Sequence, residues 1–142
     1  LKKDLFGGSY NSNTNHLNIT EEKTEITKDM VPNTTISVTI PNSVTTIGEI
    51  AFANTKLTEV TIPKNVTTIG DGAFYNTQLT EVNIPDSVTT IGRAAFNGTQ
   101  LTNVTIPDSV TSIGEASFYE AHLSSVTIPN SVRNIQSVFS QK

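Results

Sequence analysis

Apolar residues return along this chain at a fixed interval. Ile-Pro pairs fall at Ile40-Pro41, Ile62-Pro63, Ile84-Pro85, Ile106-Pro107 and Ile128-Pro129, a constant spacing of 22 residues. One unit reads LTEVTIPKNVTTIGDGAFYNTQ, from Leu57 to Gln78. Aligned at this period, Val38, Val60, Val82, Val104 and Val126 form one column and the Ile-Pro isoleucines a second. Val44, Val66, Val88, Val110 and Val132 form a third, and Ile47, Ile69, Ile91, Ile113 and Ile135 a fourth. Phe52, Phe74, Phe96 and Phe118 add an aromatic column beside Ala51, Ala73, Ala95 and Ser117. A position that stays apolar in every unit while its neighbours vary faces a core shared between units, which is the logic of a stacked solenoid.

Each unit predicts its own bends. Val60-x-Ile62 has the two-residue period of a strand, and both residues are β-branched. Pro63 has no N–H to give a neighbouring coil, so it ends that strand and fixes φ for the turn. Val66 and Ile69 lie three apart, which predicts a tighter bend on the opposite side of the coil. Gly48, Gly70, Gly92 and Gly114 read as turns at positive φ. Asn54, Asn76 and Gly98 read as left-handed positions, and Glu120 breaks that column.

The ends depart from the pattern. LNITEEKTEI (17–26) aligns with VTIPNSVTTI (38–47) at an offset of 21, with Lys23 in place of the inward valine. The expected organisation is a linker or partial cap over 1–16, then a repeat domain over 17–142. That domain has a degenerate first coil at 17–37, regular coils from 38 and an incomplete last coil. The start on Leu1 and the truncated SVFSQK read as a mature or excised piece.

Composition changes the picture mainly by exclusion. The 142 residues are 35% hydrophobic with 6 Phe, 3 Tyr and no Trp, a lean supply that suits one buried column more than a ball. A formal charge of −4 argues against nucleic acid, which calls for clustered Lys and Arg. The absence of cysteine removes disulfides and thiolate metal sites. No apolar run reaches membrane-spanning length, so this segment is not expected to insert in a membrane.

The segment L-x-x-V-x-I-x-x-[NS], as Leu57, Val60, Ile62 and Asn65, resembles the leucine-rich repeat signature. With I-P, V-T-x-I-G and A-F it is similar to the BspA-type (TpLRR) branch of that family, from about Leu17 to Phe139. The usual Asn column reads Ser43, Asn65, Ser87, Ser109 and Ser131, and a column often held by Cys reads Thr55, Thr77, Thr99 and Ala121. The resemblance implies a right-handed stack of coils with a concave parallel sheet. It also implies a place on the cell surface or in secretion, and adhesion to host proteins or to other cells.

Chemistry for catalysis is sparse. His16 and His122 are the only histidines, and neither has an evident partner in sequence, so both read as solvated and the chain as no enzyme. Stacked Asp86 and Asp108 could attract Ca²⁺, but solvated turn residues are the preferred reading, so no metal or cofactor is expected. Asp71, Arg93 and Glu115 read as a charge ladder supporting register. Sequons at Asn18, Asn33, Asn65, Asn97 and Asn103 match what Asn- and Thr-rich sequence produces by chance.

The outward strand positions remain as the candidate binding face. They are Thr58, Glu59 and Thr61; Thr80, Glu81 and Asn83; Thr102, Asn103 and Thr105; and Ser124, Ser125 and Thr127. The leading function is a protein-binding, adhesin-like module that meets a host extracellular-matrix or cell-surface protein through this face. The alternative is a structural spacer that projects other domains. Uncovered end coils leave end-to-end self-association as a further mode. Carbohydrate binding ranks below these, because the face lacks aromatic platforms.

Overall fold

A computed structural model describes residues 2–3, 8–133 and 135–139. Its strands in chain order are β1 (Lys2–Lys3), β2 (Gly8–Asn11), β3 (His16–Ile19), β4 (Glu25–Ile26), β5 (Ser37–Thr39) and β6 (Thr46–Ile47). Then follow β7 (Thr68–Ile69), β8 (Thr90–Ile91), β9 (Asn103–Thr105), β10 (Ser112–Ile113) and β11 (Ser125–Thr127). A 3-10 turn spans Lys28–Met30 and a short helix, α1, spans Ile135–Val138. The fold is the repeat solenoid that the columns predict: Thr46 pairs with Thr68, Thr68 with Thr90 and Thr90 with Ser112, all in parallel and each one period on.

That ladder corrects one expectation. The V-T-x-I segment is not a tight bend but the most continuous sheet of the molecule, ordered β10-β8-β7-β6-β4. The short apolar spacing hid a strand of only two residues per coil. Its isoleucines point inward and are fully buried or nearly so, while Thr45, Thr67, Thr89 and Thr111 stand exposed just ahead of it. Each of these threonines donates its hydroxyl to a backbone carbonyl of the coil before.

Phenylalanine rings fill the far side of each coil. Phe52, Phe74 and Phe96 have no exposed surface. Their rings stack in sequence with centroids 5.3 Å apart, and Phe96 to Phe118 follows at 5.4 Å, every pair parallel within 7°. The spacing is close to the ~4.8 Å between hydrogen-bonded strands, so the rings can follow the backbone repeat with little offset. At the end the repeat slips. Phe96 N–H donates to Ser117 O, 21 residues on, but Phe118 N–H donates to Val138 O, 20 residues on. Phe139 therefore continues the stack only at 6.1 Å with a 31° tilt, and it is 37% exposed.

The glycine column needs a second correction. None of Gly48, Gly70, Gly92 and Gly114 lies at positive φ. What they require is space. A Cβ would fall 2.6 Å from Ile26 O at Gly48, 2.9 Å from Glu49 N at Gly70 and 2.5 Å from Asp71 N at Gly92. Each glycine N–H donates back to the isoleucine carbonyl of the preceding coil, as Gly70 does to Ile47 O at 2.7 Å. That bond draws the two backbones together.

Left-handed residues lie two and six positions later. They are Ile50 and Asn54, Gly72 and Asn76, Ala94 and Gly98, and Ala116 and Glu120. Between them the direction of donation reverses: Ile50, Phe52 and Asn54 N–H groups donate forward, to Asp71, Ala73 and Tyr75 carbonyls of the next coil. By Gln78 the donation runs backward again, to Leu57 O. The two left-handed residues bracket the forward-donating segment. Asn54 and Asn76 suit this conformation and add a rung, Asn76 Nδ2 to Asn54 Oδ1 at 2.8 Å. Glu120 adopts it at φ 58°, the strained position expected from the broken column. Ile50, β-branched at φ 49°, is the genuine outlier.

Residues 8–36 cover the first coil. Strands β1, β2 and β3 form an antiparallel meander, and β3 pairs in parallel with β5 as Leu17 to Val38. Tyr10 is buried there, with its hydroxyl against Asn15 Oδ1 and Thr34 Oγ1. Lys28 reaches across to give its ammonium to Ala53 O at 2.8 Å, taking the place of a preceding coil's N–H. Burial holds its pKa below the usual lysine value.

Three stability measurements check this account. Phe74→Ala should lose about 3–5 kcal/mol by denaturant unfolding, because it removes a ring stacked on both sides. Ile50→Gly should gain about 0.5–1 kcal/mol, since relief of a left-handed β-branched residue outweighs glycine's extra chain entropy. Gly92→Ala should go the other way by about 1–3 kcal/mol, as overpacking does.

Candidate protein-binding face

The L-x-x-V-x-I segments run side by side, one per coil, and bury alternate residues. Leu57, Leu79 and Leu101 are fully buried and anchor the start of each segment. Ile62, Ile84 and Ile106 anchor its end, with Val60 and Val82 half-buried between and Val104 buried. The polar residues alternating with them all stand exposed: Thr58, Glu59, Thr61, Thr80, Glu81, Asn83, Thr102, Asn103, Thr105, Ser124, Ser125 and Thr127. Rows run across the coils, with Glu59 and Glu81 successive members of one row that continues through Asn103 to Ser125.

This face is a sheet only at its two ends. At the N-terminal end β3 pairs with β5, and at the C-terminal end β9 pairs with β11 in register Asn103 to Ser125. Between them, over 59–62 and 81–84, no strand forms. The coils there keep contact through their first residues, by Gln78 N–H to Leu57 O at 3.0 Å and Gln100 N–H to Leu79 O at 2.9 Å. An open slot of about 270 Å³ lies between residues 80–83 and 102–105. Periodicity alone could not find this opening, because it predicts the same strand in every coil.

Among the described residues no group of three His, Asp or Glu side chains comes together, and Asp86 and Asp108 are both exposed. His16 is better placed than its sequence context suggests. It lies on β3, half-buried, with Nδ1 2.6 Å from Ser37 Oγ and Nε2 2.8 Å from Thr39 Oγ1, so it is a rung of the face and not a solvated tail residue. His122 is exposed. The Asp71–Arg93–Glu115 ladder forms differently from expectation: Arg93 Nη2 lies 3.8 Å from Glu115 Oε1, but Asp71 accepts the backbone N–H of Arg93. Asn97 and Thr99 of one sequon are buried, and Asn103 of another lies in β9.

The phasing of these coils decides the family, since a model of the BspA type leucine-rich repeat region matches residues 32–142 in 6 copies. The chain belongs to the BspA-type leucine-rich repeat family. Among solved structures this BspA-type chain is similar to a leucine-rich repeat protein from Eubacterium ventriosum, with TM-score 0.69 and 29% identity, covering 79% of this chain and 31% of that one. A leucine-rich repeat protein from Bacteroides ovatus aligns with TM-score 0.73 and 27% identity, covering 94% of this chain and 40% of that one. The pneumococcal vaccine antigen PcpA shares the fold, with TM-score 0.68 and 23% identity over 83% of this chain and 30% of its own. The BspA-type chain thus spans less than half the length of each. No curated protein sequence matches it.

Two columns where this BspA-type chain departs from the family's residues still make their bonds. Buried Thr55, Thr77 and Thr99 donate to the carbonyls of Phe52, Phe74 and Phe96 at 2.8–3.0 Å. Where Ala121 takes that place, its own N–H donates to Phe118 O. In the other column Ser43, Asn65, Ser109 and Ser131 donate to the preceding coil at 2.6–2.7 Å. Ser87 is the exception, with a buried hydroxyl that has no partner among the described residues. We have no physical account of that difference. It makes a comparison: Ser109→Ala should lose about 1 kcal/mol on unfolding, while Ser87→Ala should be neutral or slightly stabilising.

Proposed function

We propose that this BspA-type module binds a protein partner through the exposed polar face of its L-x-x-V-x-I segments, as an adhesin-like part of a cell-surface or secreted protein. The observation that carries the reading is the face itself: regular rows of polar side chains, from Thr58 through Thr127, that all stand exposed. Family membership supports a repeat module. The partner is expected to be a host extracellular-matrix or cell-surface protein.

The chemistry of the face points to the kind of contact. It lacks the Trp, Tyr and Arg that dominate tight hot spots, so affinity is modest. Its charge is one-sided, with Glu59 and Glu81 toward the N-terminal half and neutral Asn103 and Ser125 beyond. A basic patch is the complement, and attraction between exposed charges is screened by salt.

The test replaces both carboxylates. The double variant Glu59→Lys, Glu81→Lys should keep its circular dichroism and lose binding to extracellular-matrix proteins that the wild type captures. Wild-type binding should fall as ionic strength rises. Equal binding by both forms, or no binding by either, sinks the reading in favour of a structural spacer that projects other domains.

A further inference from the structure

One row of turn residues is broken at two successive coils. It reads Asn54, Asn76, Gly98 and Glu120, all left-handed. Asn76 Nδ2 donates to Asn54 Oδ1 at 2.8 Å, which closes the first rung. Gly98 has no side chain to continue it, so a gap lies between Asn76 and Glu120. That gap is a recess of about 390 Å³, lined by Asn76, Gly98, Gln100, Glu120, Ala121 and His122. Its floor is held firmly: Gly98 N–H donates to Tyr119 O at 2.9 Å and Ala121 N–H to Phe118 O at 3.1 Å.

The polar groups around the recess are free. Among the described residues the side chains of Gln100, Glu120 and His122 have no hydrogen-bond or ion-pair partner. Asn76 keeps Oδ1 near the gap, 3.8 Å from where a Cβ on Gly98 would lie. Glu120 is strained into its place. It holds φ 58°, where the same row elsewhere uses Asn or Gly, the residues that tolerate this conformation. A strained residue among unpaired polar groups in a recess points to a ligand.

The chemistry narrows the class of that ligand. A carboxylate with no Lys or Arg in the lining does not suit an anion. No three His, Asp or Glu side chains gather among the described residues, so a metal ion would be poorly held. Ala121 is the one apolar side chain in the lining, so an apolar group would gain little. What the walls offer is planar groups with paired polar atoms: a carboxylate, two carboxamides and an imidazole. Neighbouring hydroxyls of a sugar ring, each both donor and acceptor, match that set.

We propose that this recess holds the terminal neutral sugar ring of a glycan, through hydrogen bonds to Asn76, Gln100, Glu120 and His122. All four residues are exposed, so the rest of a glycan can leave on the solvent side. The lining has no aromatic ring to stack on the sugar, so affinity is in the millimolar range. The site does not rest on the protein-binding reading, and its test leaves Glu59 and Glu81 unchanged.

The probes are the methyl glycosides of galactose, mannose and N-acetylglucosamine, titrated to tens of millimolar into the ¹⁵N-labelled 142-residue chain. At least one should shift the amide resonances of Gly98, Gln100 and Ala121 saturably, while that of Ile69 stays in place. Gly98→Asn supplies the missing rung. An added Cβ there meets nothing closer than Asn76 Cα at 3.6 Å, and Asn tolerates φ 73°. The variant should fold as the wild type does and bind at least about tenfold more weakly. Glu120→Asn should weaken binding by about the same factor. It should also raise Tm by about 3 °C, because the left-handed strain is relieved. No shift with any glycoside overturns the proposal. So does undiminished binding by either variant, or binding of the free sugars without their glycosides.

Discussion

Each coil of this protein must satisfy its backbone groups against the coils before and after it, because no strand or helix within a coil can do so. That requirement decides where the chain bends. Along the V-T-x-I segment the turn-closing glycine donates backward, as Gly70 does to Ile47 O. Past the left-handed residue the chain donates forward, as Phe52 does to Ala73 O. Every reversal needs a residue at positive φ, and the close approach at the glycine needs a residue without a Cβ. Core columns, turns and the stacked rings are arranged around those reversals. The same requirement explains the ends: Lys28 supplies an ammonium where the first full coil lacks a preceding N–H, and Ser137 O and Val138 O receive the last forward donations from Ala116 and Phe118.

The apolar columns were legible because the chain repeats each inward choice four or five times, so chance variation averages out within one sequence. The strand on the V-T-x-I side was not, since a two-residue strand leaves no alternation to read. Glycine misled for a different reason. It has two physical uses, positive φ and absence of bulk, and spacing cannot separate them; Gly48 and its column serve the second. The left-handed column nearest those glycines reads Ile50, Gly72, Ala94 and Ala116, and three of those four residues give no hint of the conformation. Here the inter-coil bonds override local preference, and the price is strain at Ile50.

The candidate face divides along the same line. Its exposure follows from alternation and was readable residue by residue, from Thr58 through Thr127. The absence of strand pairing in its middle is a difference between neighbouring coils, and a consensus repeat erases such differences. His16 was hidden because its partners, Ser37 and Thr39, come from the next coil across an offset of 21 where the regular units keep 22.

A solenoid tolerates this division because each coil meets only its neighbours, and within a coil the two sides are held by separate bonds. Phe52, Phe74 and Phe96 stay parallel while the segments over 59–62 and 81–84 form no strand on the other side. The buried columns can therefore hold the stack in register while the exposed row changes from coil to coil. Ser, Glu and Asn exchange in that row, from Ser37 through Ser125, while the next column stays valine at Val38, Val60, Val82, Val104 and Val126, so the charge of the face varies from coil to coil. Variation in one row of such a repeat therefore changes the charge of the face while the stack of cores beneath it is kept.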